Sequence, residues 1–100
     1  MSAATNWLHG SDEPYVYLAI ISQLSDLPES DILGDSRRQD VMKARQLLYA
    51  TLRELGWSYP RIGKYTNRDH ATVITGAKKV PKEVVADVLE IANRVSENAK

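Results

Sequence analysis

Apolar side chains recur at helical spacing along most of this chain. Tyr17, Ile20, Ile21 and Leu24 fall three and four residues apart, the spacing that lines one face of an α-helix. Asp12 stands where an N-cap is needed, Glu13 and Pro14 suit a first turn, and Asp26-Leu27-Pro28 ends the helix. Ser30 is placed to cap a single turn that carries Ile32 and Leu33 to Gly34. A longer stripe of Val41, Ala44, Leu48, Leu52 and Leu55, flanked by Leu47 and Thr51, predicts a helix over residues 37–55. Ser36 and Gln39 have the capping-box spacing at its start, and Gly56 stands where a left-handed C-terminal cap is expected.

The pattern then shortens. Ser58-Tyr59-Pro60-Arg61-Ile62-Gly63-Lys64-Tyr65 reads as a short helix with a Ser cap and Pro in its first turn. A second short helix is predicted over residues 69–79, with Val73, Ile74, Ala77 and Val80 turned inward. Pro81 opens a last helix lined by Val84, Val85, Val88, Ile91, Ala92 and Val95. No segment alternates convincingly as a strand. The expectation is an all-α bundle of five or six helices containing a helix-turn-helix at about residues 58–79. Residues 1–11 lack periodicity and are expected to be a flexible leader, with Trp7 and Leu8 candidates to fold back on the core. Residues 12–100 form the single domain.

Composition narrows the function classes. One hundred residues, 43% of them hydrophobic, suffice for one modest core. Without cysteine there is no disulfide framework and no thiolate metal site. Neither a signal peptide nor an apolar run long enough for a membrane is present, so a cytoplasmic protein with no membrane partner is expected. The net charge of zero hides a strong segregation. Residues 1–33 carry five acids and no Lys or Arg, residues 34–82 carry eleven basic residues against four acids, and residues 83–100 carry four acids against two. A basic middle section of this kind is an electrostatic footprint for phosphates. Segregation of this size also arises by chance in a solvated helical surface, so charge alone decides little.

The second short helix adds chemistry to that charge. A helix that reads DNA needs a slim polar N-terminal end, an apolar inner face and cations at its flanks. Asp69, His70, Ala71 and Thr72 supply the polar end. Arg61, Lys64, Arg68, Lys78 and Lys79 supply the flanks. An Asp carboxylate accepts from cytosine N4, a His nitrogen bonds a purine edge, and Ala and Thr methyls touch the thymine methyl. The plain alternatives are that Asp69 is simply an N-cap and His70 a surface residue without a role.

Several strings at compatible spacing resemble the DNA-binding C-terminal domain of the bacterial replication initiator DnaA. They are Asp31-Ile32-Leu33-Gly34 with Ser36-Arg37-Arg38, Ala44-Arg45-Gln46, Leu52-Arg53-Glu54-Leu55, Ser58 to Gly63, and Arg68-Asp69-His70-Ala71-Thr72-Val73. The resemblance runs from about Tyr17 to Val80. It implies that Asp69, His70 and Thr72 enter the major groove of an A·T-rich asymmetric box, and that Arg37 reaches the adjacent minor groove. It also implies that Arg45 and Gln46 contact phosphates and DNA edges. The chain departs from the family pattern at Ala71 (usually Ser or Thr), Asp35 (in a loop usually basic), Arg61 (often Glu) and Thr66 (usually apolar).

These readings imply double-stranded DNA as the partner, no cofactor and no metal. No G-x-x-x-x-G-K-[ST] string is present, so no ATPase activity is expected. The leading Met and a helix at each end suggest a stand-alone module, bacterial and nucleoid-associated or phage-encoded, acting in replication control or transcription. An enzyme is disfavoured. His9, His70 and scattered carboxylates form no catalytic order, and neighbours such as Asp69 and His70 diverge by about 100° on a helix. The remaining rival is a protein-interaction module that keeps the fold but has lost DNA. Its acidic first third and Trp7 would serve a replication or regulatory protein.

Overall fold

The computed structural model describes residues 13–98. Its helices are α1 (Pro14–Ser25), α2 (Glu29–Leu33), α3 (Gln39–Glu54), α4 (Tyr59–Thr66), α5 (His70–Ala77) and α6 (Lys82–Asn98). Among the described residues there is no strand. The all-α bundle expected from the pattern is therefore the observed one. Asp12 and the leader with Trp7, Leu8 and His9 lie outside the described residues.

The long helix α3 organises the rest, packing against each of the other five. Its fully buried Val41, Leu48 and Leu52 meet Ile21 of α1, Ile32 of α2, Ile62 of α4, Val73 of α5 and Val88 of α6 in one core cluster. Burying each such side chain contributes roughly 1.5–3 kcal/mol. At its end Gly56 adopts φ +100°, and its N–H donates to the Arg53 carbonyl at 2.9 Å. The Trp57 N–H donates to Leu52 at 3.1 Å and its side chain is buried, which completes a Schellman stop.

The start of α3 differs from expectation. Helix begins at Gln39, and no capping box forms. The Ser36 carbonyl instead accepts from Arg45 Nη2 at 3.1 Å, which holds Ser36 in the loop, and its hydroxyl accepts from the Arg38 N–H at 3.2 Å. Likewise α2 begins at Glu29 rather than after Ser30, because the Pro28 carbonyl already accepts from the N–H groups of Asp31 and Ile32. The apolar stripes are also narrower than drawn. Leu24, Val84 and Val95 are exposed.

The α4–turn–α5 unit follows its sequence closely. Ser58 Oγ accepts from the Arg61 N–H at 3.2 Å, with Pro60 in the first turn. Asn67 takes the left-handed conformation (φ 58°), one of the few side chains that tolerates it, and the Arg68 N–H donates back to Gly63 at 2.8 Å. Thr66, at a position the family usually fills with an apolar residue, is buried because its hydroxyl donates to the Ile62 carbonyl at 2.9 Å. Asp69 Oδ1 then accepts from the Thr72 N–H at 2.8 Å and starts α5.

Candidate nucleic-acid interface

Two stretches distant in sequence, 35–49 and 67–79, border one open groove of about 1020 Å³. The loop before α3 contributes Asp35 and Arg37, and α3 contributes Met42, Arg45, Gln46 and Tyr49. The turn contributes Asn67, Arg68 and Asp69, and α5 the face with Ala71, Thr72, Thr75 and Lys79. Tyr49 and Gly76 form the floor between α3 and α5, a close approach that leaves no room for a β-carbon at Gly76. Of the residues expected at the site, the fold gathers Arg37, Arg45, Gln46, Arg68, Asp69, Ala71 and Thr72 around this one space.

The others lie elsewhere. His70 is exposed at the first position of α5, outside the groove lining. The Arg61 guanidinium lies 3.7 Å over the Trp57 ring, a cation–π contact that accounts for an Arg at this departing position. Lys64 is exposed on α4. Lys78 lines a second, smaller groove with Arg53, Tyr59 and Lys82.

Arg45 and Arg68, expected as phosphate contacts, both line the groove and are engaged by the protein itself. Arg45 is only 7% exposed. Its Nε donates to the Ile32 carbonyl at 2.8 Å, and its Nη2 to the carbonyls of Gly34 at 2.8 Å, Ser36 at 3.1 Å and Asp31 at 3.3 Å. A buried cation is tolerable only with such compensation. Burial, and next the neighbouring Arg68 charge, pull the Arg45 guanidinium below its ordinary pKa. Arg68 donates to the carbonyls of Gly34, Thr66 and Asn67, and lies 3.9 Å from Asp35. Both side chains thus bind the protein's own backbone at the groove wall.

Asp69 serves first as a cap. Hydrogen bonds from the Thr72 amide and then its hydroxyl hold the carboxyl below the usual range, so it stays ionised at neutral pH. The cap's stabilisation is lost only as pH falls through that lowered value. Sequence reasoning missed Thr75, Asn67 and Tyr49 at the groove and gave Lys79 only a flanking role. Helical spacing held the signal for two of them, since Thr75 and Lys79 follow Ala71 by four and eight residues.

A capped short helix, a left-handed turn and a second capped helix seated on a long one define a helix-turn-helix protein. The match to known families is specific within that class. Residues 18–80 fit the family model described as the bacterial dnaA protein helix-turn-helix, and the chain belongs to that family. It is 30% identical over 96 residues to the chromosomal replication initiator protein DnaA of Microcystis aeruginosa, covering 85% of this chain and 22% of that protein. The DnaA of Thermomicrobium roseum is 33% identical over 95 residues, covering 87% and 20%. That of Clavibacter michiganensis is 36% identical over 80 residues, covering 72% and 17%. The chain spans about a fifth of the length of the curated relatives it matches. No described helix is long and apolar enough to cross a membrane.

Proposed function

We propose that this chain binds duplex DNA in a sequence-specific way, at boxes of the kind the initiator family recognises, without ATPase activity of its own. Family membership supports DNA binding in the setting of replication initiation. The observation that carries the finer reading is the convergence of Arg37, Gln46, Asp69, Ala71 and Thr72 on one groove. In this reading α5 enters the major groove, with Asp69, His70, Ala71 and Thr72 offered to base edges. Arg37 follows the backbone into the adjacent minor groove, and Gln46 meets the phosphates between. Arg61, Lys64 and Lys78 add outer backbone contacts. Control of replication or of transcription both follow from such binding.

The test is titration of a family-type box and a scrambled duplex of equal composition at several salt concentrations. The box should bind more tightly, and log K should fall by about 0.9 for each phosphate neutralised. Equal affinities reject the specificity. A module that had exchanged DNA for a protein partner at its acidic N-terminal third would give no salt-dependent binding to either duplex.

Asp35 supplies a further expectation. Its side chain is fully exposed, borders the groove, and stands two residues from Arg37, where an approaching phosphate meets a like charge. Asp35→Asn should tighten binding to box and scrambled DNA alike by a few-fold, with the gain shrinking as salt screens the repulsion. Unchanged affinity at low salt would put Asp35 off the DNA path.

A further inference from the structure

The Gly34 carbonyl is held from two sides. Arg45 reaches it from α3 at 2.8 Å, and Arg68 reaches it from the helix-turn-helix turn, 34 residues away in sequence. Each guanidinium also grips its own neighbourhood. Arg45 takes the carbonyls of Asp31 and Ile32 in α2 and that of Ser36, while Arg68 takes Thr66 and Asn67 at the end of α4. Three residues beyond Gly34 is Arg37, exposed in a loop without regular structure that borders the groove.

We propose that Arg45 and Arg68 are positioning residues that fix the Arg37 arm at a set offset from α5, so that arm and recognition helix meet one duplex in register. The proposal rests on the reading of this face as the DNA interface. Without the link, the loop would be tied to α3 alone and the arm free to drift relative to the turn that starts α5. With it, the ordering is done before DNA arrives, and less affinity is lost on binding. Purely structural service is a weaker account of the arrangement. Two cations converge on one carbonyl, and the Arg45 guanidinium is pulled below its ordinary pKa first by burial and then by the Arg68 charge. A neutral hydrogen-bond donor would hold the loop without that repulsion.

The experiment is a double-mutant cycle between Arg37→Ala and Arg68→Lys, read on a family-type box and on two altered boxes. One has its base pairs changed at the minor-groove end, the other at the α5 end. Lysine keeps the charge but cannot fork between the Gly34 carbonyl and those of Thr66 and Asn67. Arg68→Lys should weaken the intact box by about tenfold, the scale of one base-edge contact. It should erase discrimination at the arm end while leaving discrimination at the α5 end. With Arg37 already replaced, it should cost less than about twofold more, the non-additivity of a shared contact. Additive losses would overturn the proposal by making Arg68 a DNA contact in its own right. Equal loss of discrimination at both ends would overturn it by making the effect a general loosening of the fold. Should Arg68→Lys melt below the assay temperature, the cycle is run at a lower temperature where the variant is folded by circular dichroism, and it must give the same pattern there. Failure of the wild-type chain to prefer its box removes the sequence-specific reading and this proposal together. A preference with an additive cycle removes only the proposal.

Discussion

Gly63→Ala should destabilise the domain by about 1–3 kcal/mol, although alanine normally stabilises a helix relative to glycine by roughly 1 kcal/mol. A β-carbon at Gly63 would stand 2.5 Å from the Arg68 carbonyl oxygen and 3.6 Å from the Asp69 carbonyl carbon. Both are main-chain atoms, so no side-chain rotation relieves the overlap. Either α4 moves away from the turn or the turn opens, and each movement breaks the Arg68 N–H bond to Gly63 and disturbs the Asp69 cap. In a domain of this size each kcal/mol corresponds to about 4–8 °C in melting temperature. Thermal unfolding followed by circular dichroism reads the effect directly. Gly56→Ala provides the comparison. Gly56 carries a positive φ of 100° but has nothing within 4 Å of an added β-carbon, so only backbone strain of about 1 kcal/mol opposes it. A Gly63→Ala protein that melts at or above the wild-type temperature would show that α4 and the turn do not approach this closely.

Those glycines illustrate what could be read from the chain and what could not. Gly56 was legible because a glycine after a long apolar stripe has one common use, and Ser58, Pro60 and Asp69 announced their helix starts in the same local way. The close approach at Gly63 depends on a hydrogen bond formed five residues later, which no local pattern encodes. Arg45 is the more instructive case. A long basic side chain reads the same whether it runs to solvent or folds back over its neighbours, and phosphate binding was the natural expectation. Its spacing carried a warning, since it lies four residues after buried Val41 and three before buried Leu48, on the inner side of α3. The capping box failed for the same reason, because Ser36 answers to Arg45 rather than to Gln39. His70 apart, the loop, long-helix and α5 residues that the family resemblance brings to one site do border one groove. Which side chain faces the groove and which faces outward, as with Thr75 against His70, depends on the rotation of α5, and Tyr49 packing beneath Gly76 sets that rotation.

His70→Ala should separate base reading from backbone binding. His70 is exposed at the first helical position of α5, beside the capped Asp69 and away from the groove wall, so its ring is available to whatever α5 enters. The inner face of the helix is held by Val73, fully buried, and by Gly76 against Tyr49, whereas His70 is exposed. The variant should therefore keep the wild-type melting temperature. Loss of one base-edge contact should cost about 1–3 kcal/mol on a family-type box and much less on scrambled duplex, so the ratio between the two falls. Lys78→Ala is the natural contrast. A phosphate contact there would weaken both duplexes alike and reduce the salt slope by about one unit. Measured side by side by fluorescence anisotropy across a salt series, the two variants should move different quantities: the ratio for His70 and the slope for Lys78. Were His70→Ala to weaken both duplexes equally, its contact would be to the sugar–phosphate backbone. Discrimination would then have to come from Asp69, Thr72 and the Arg37 arm, and α5 would lie in the groove turned toward its Thr72–Thr75 face.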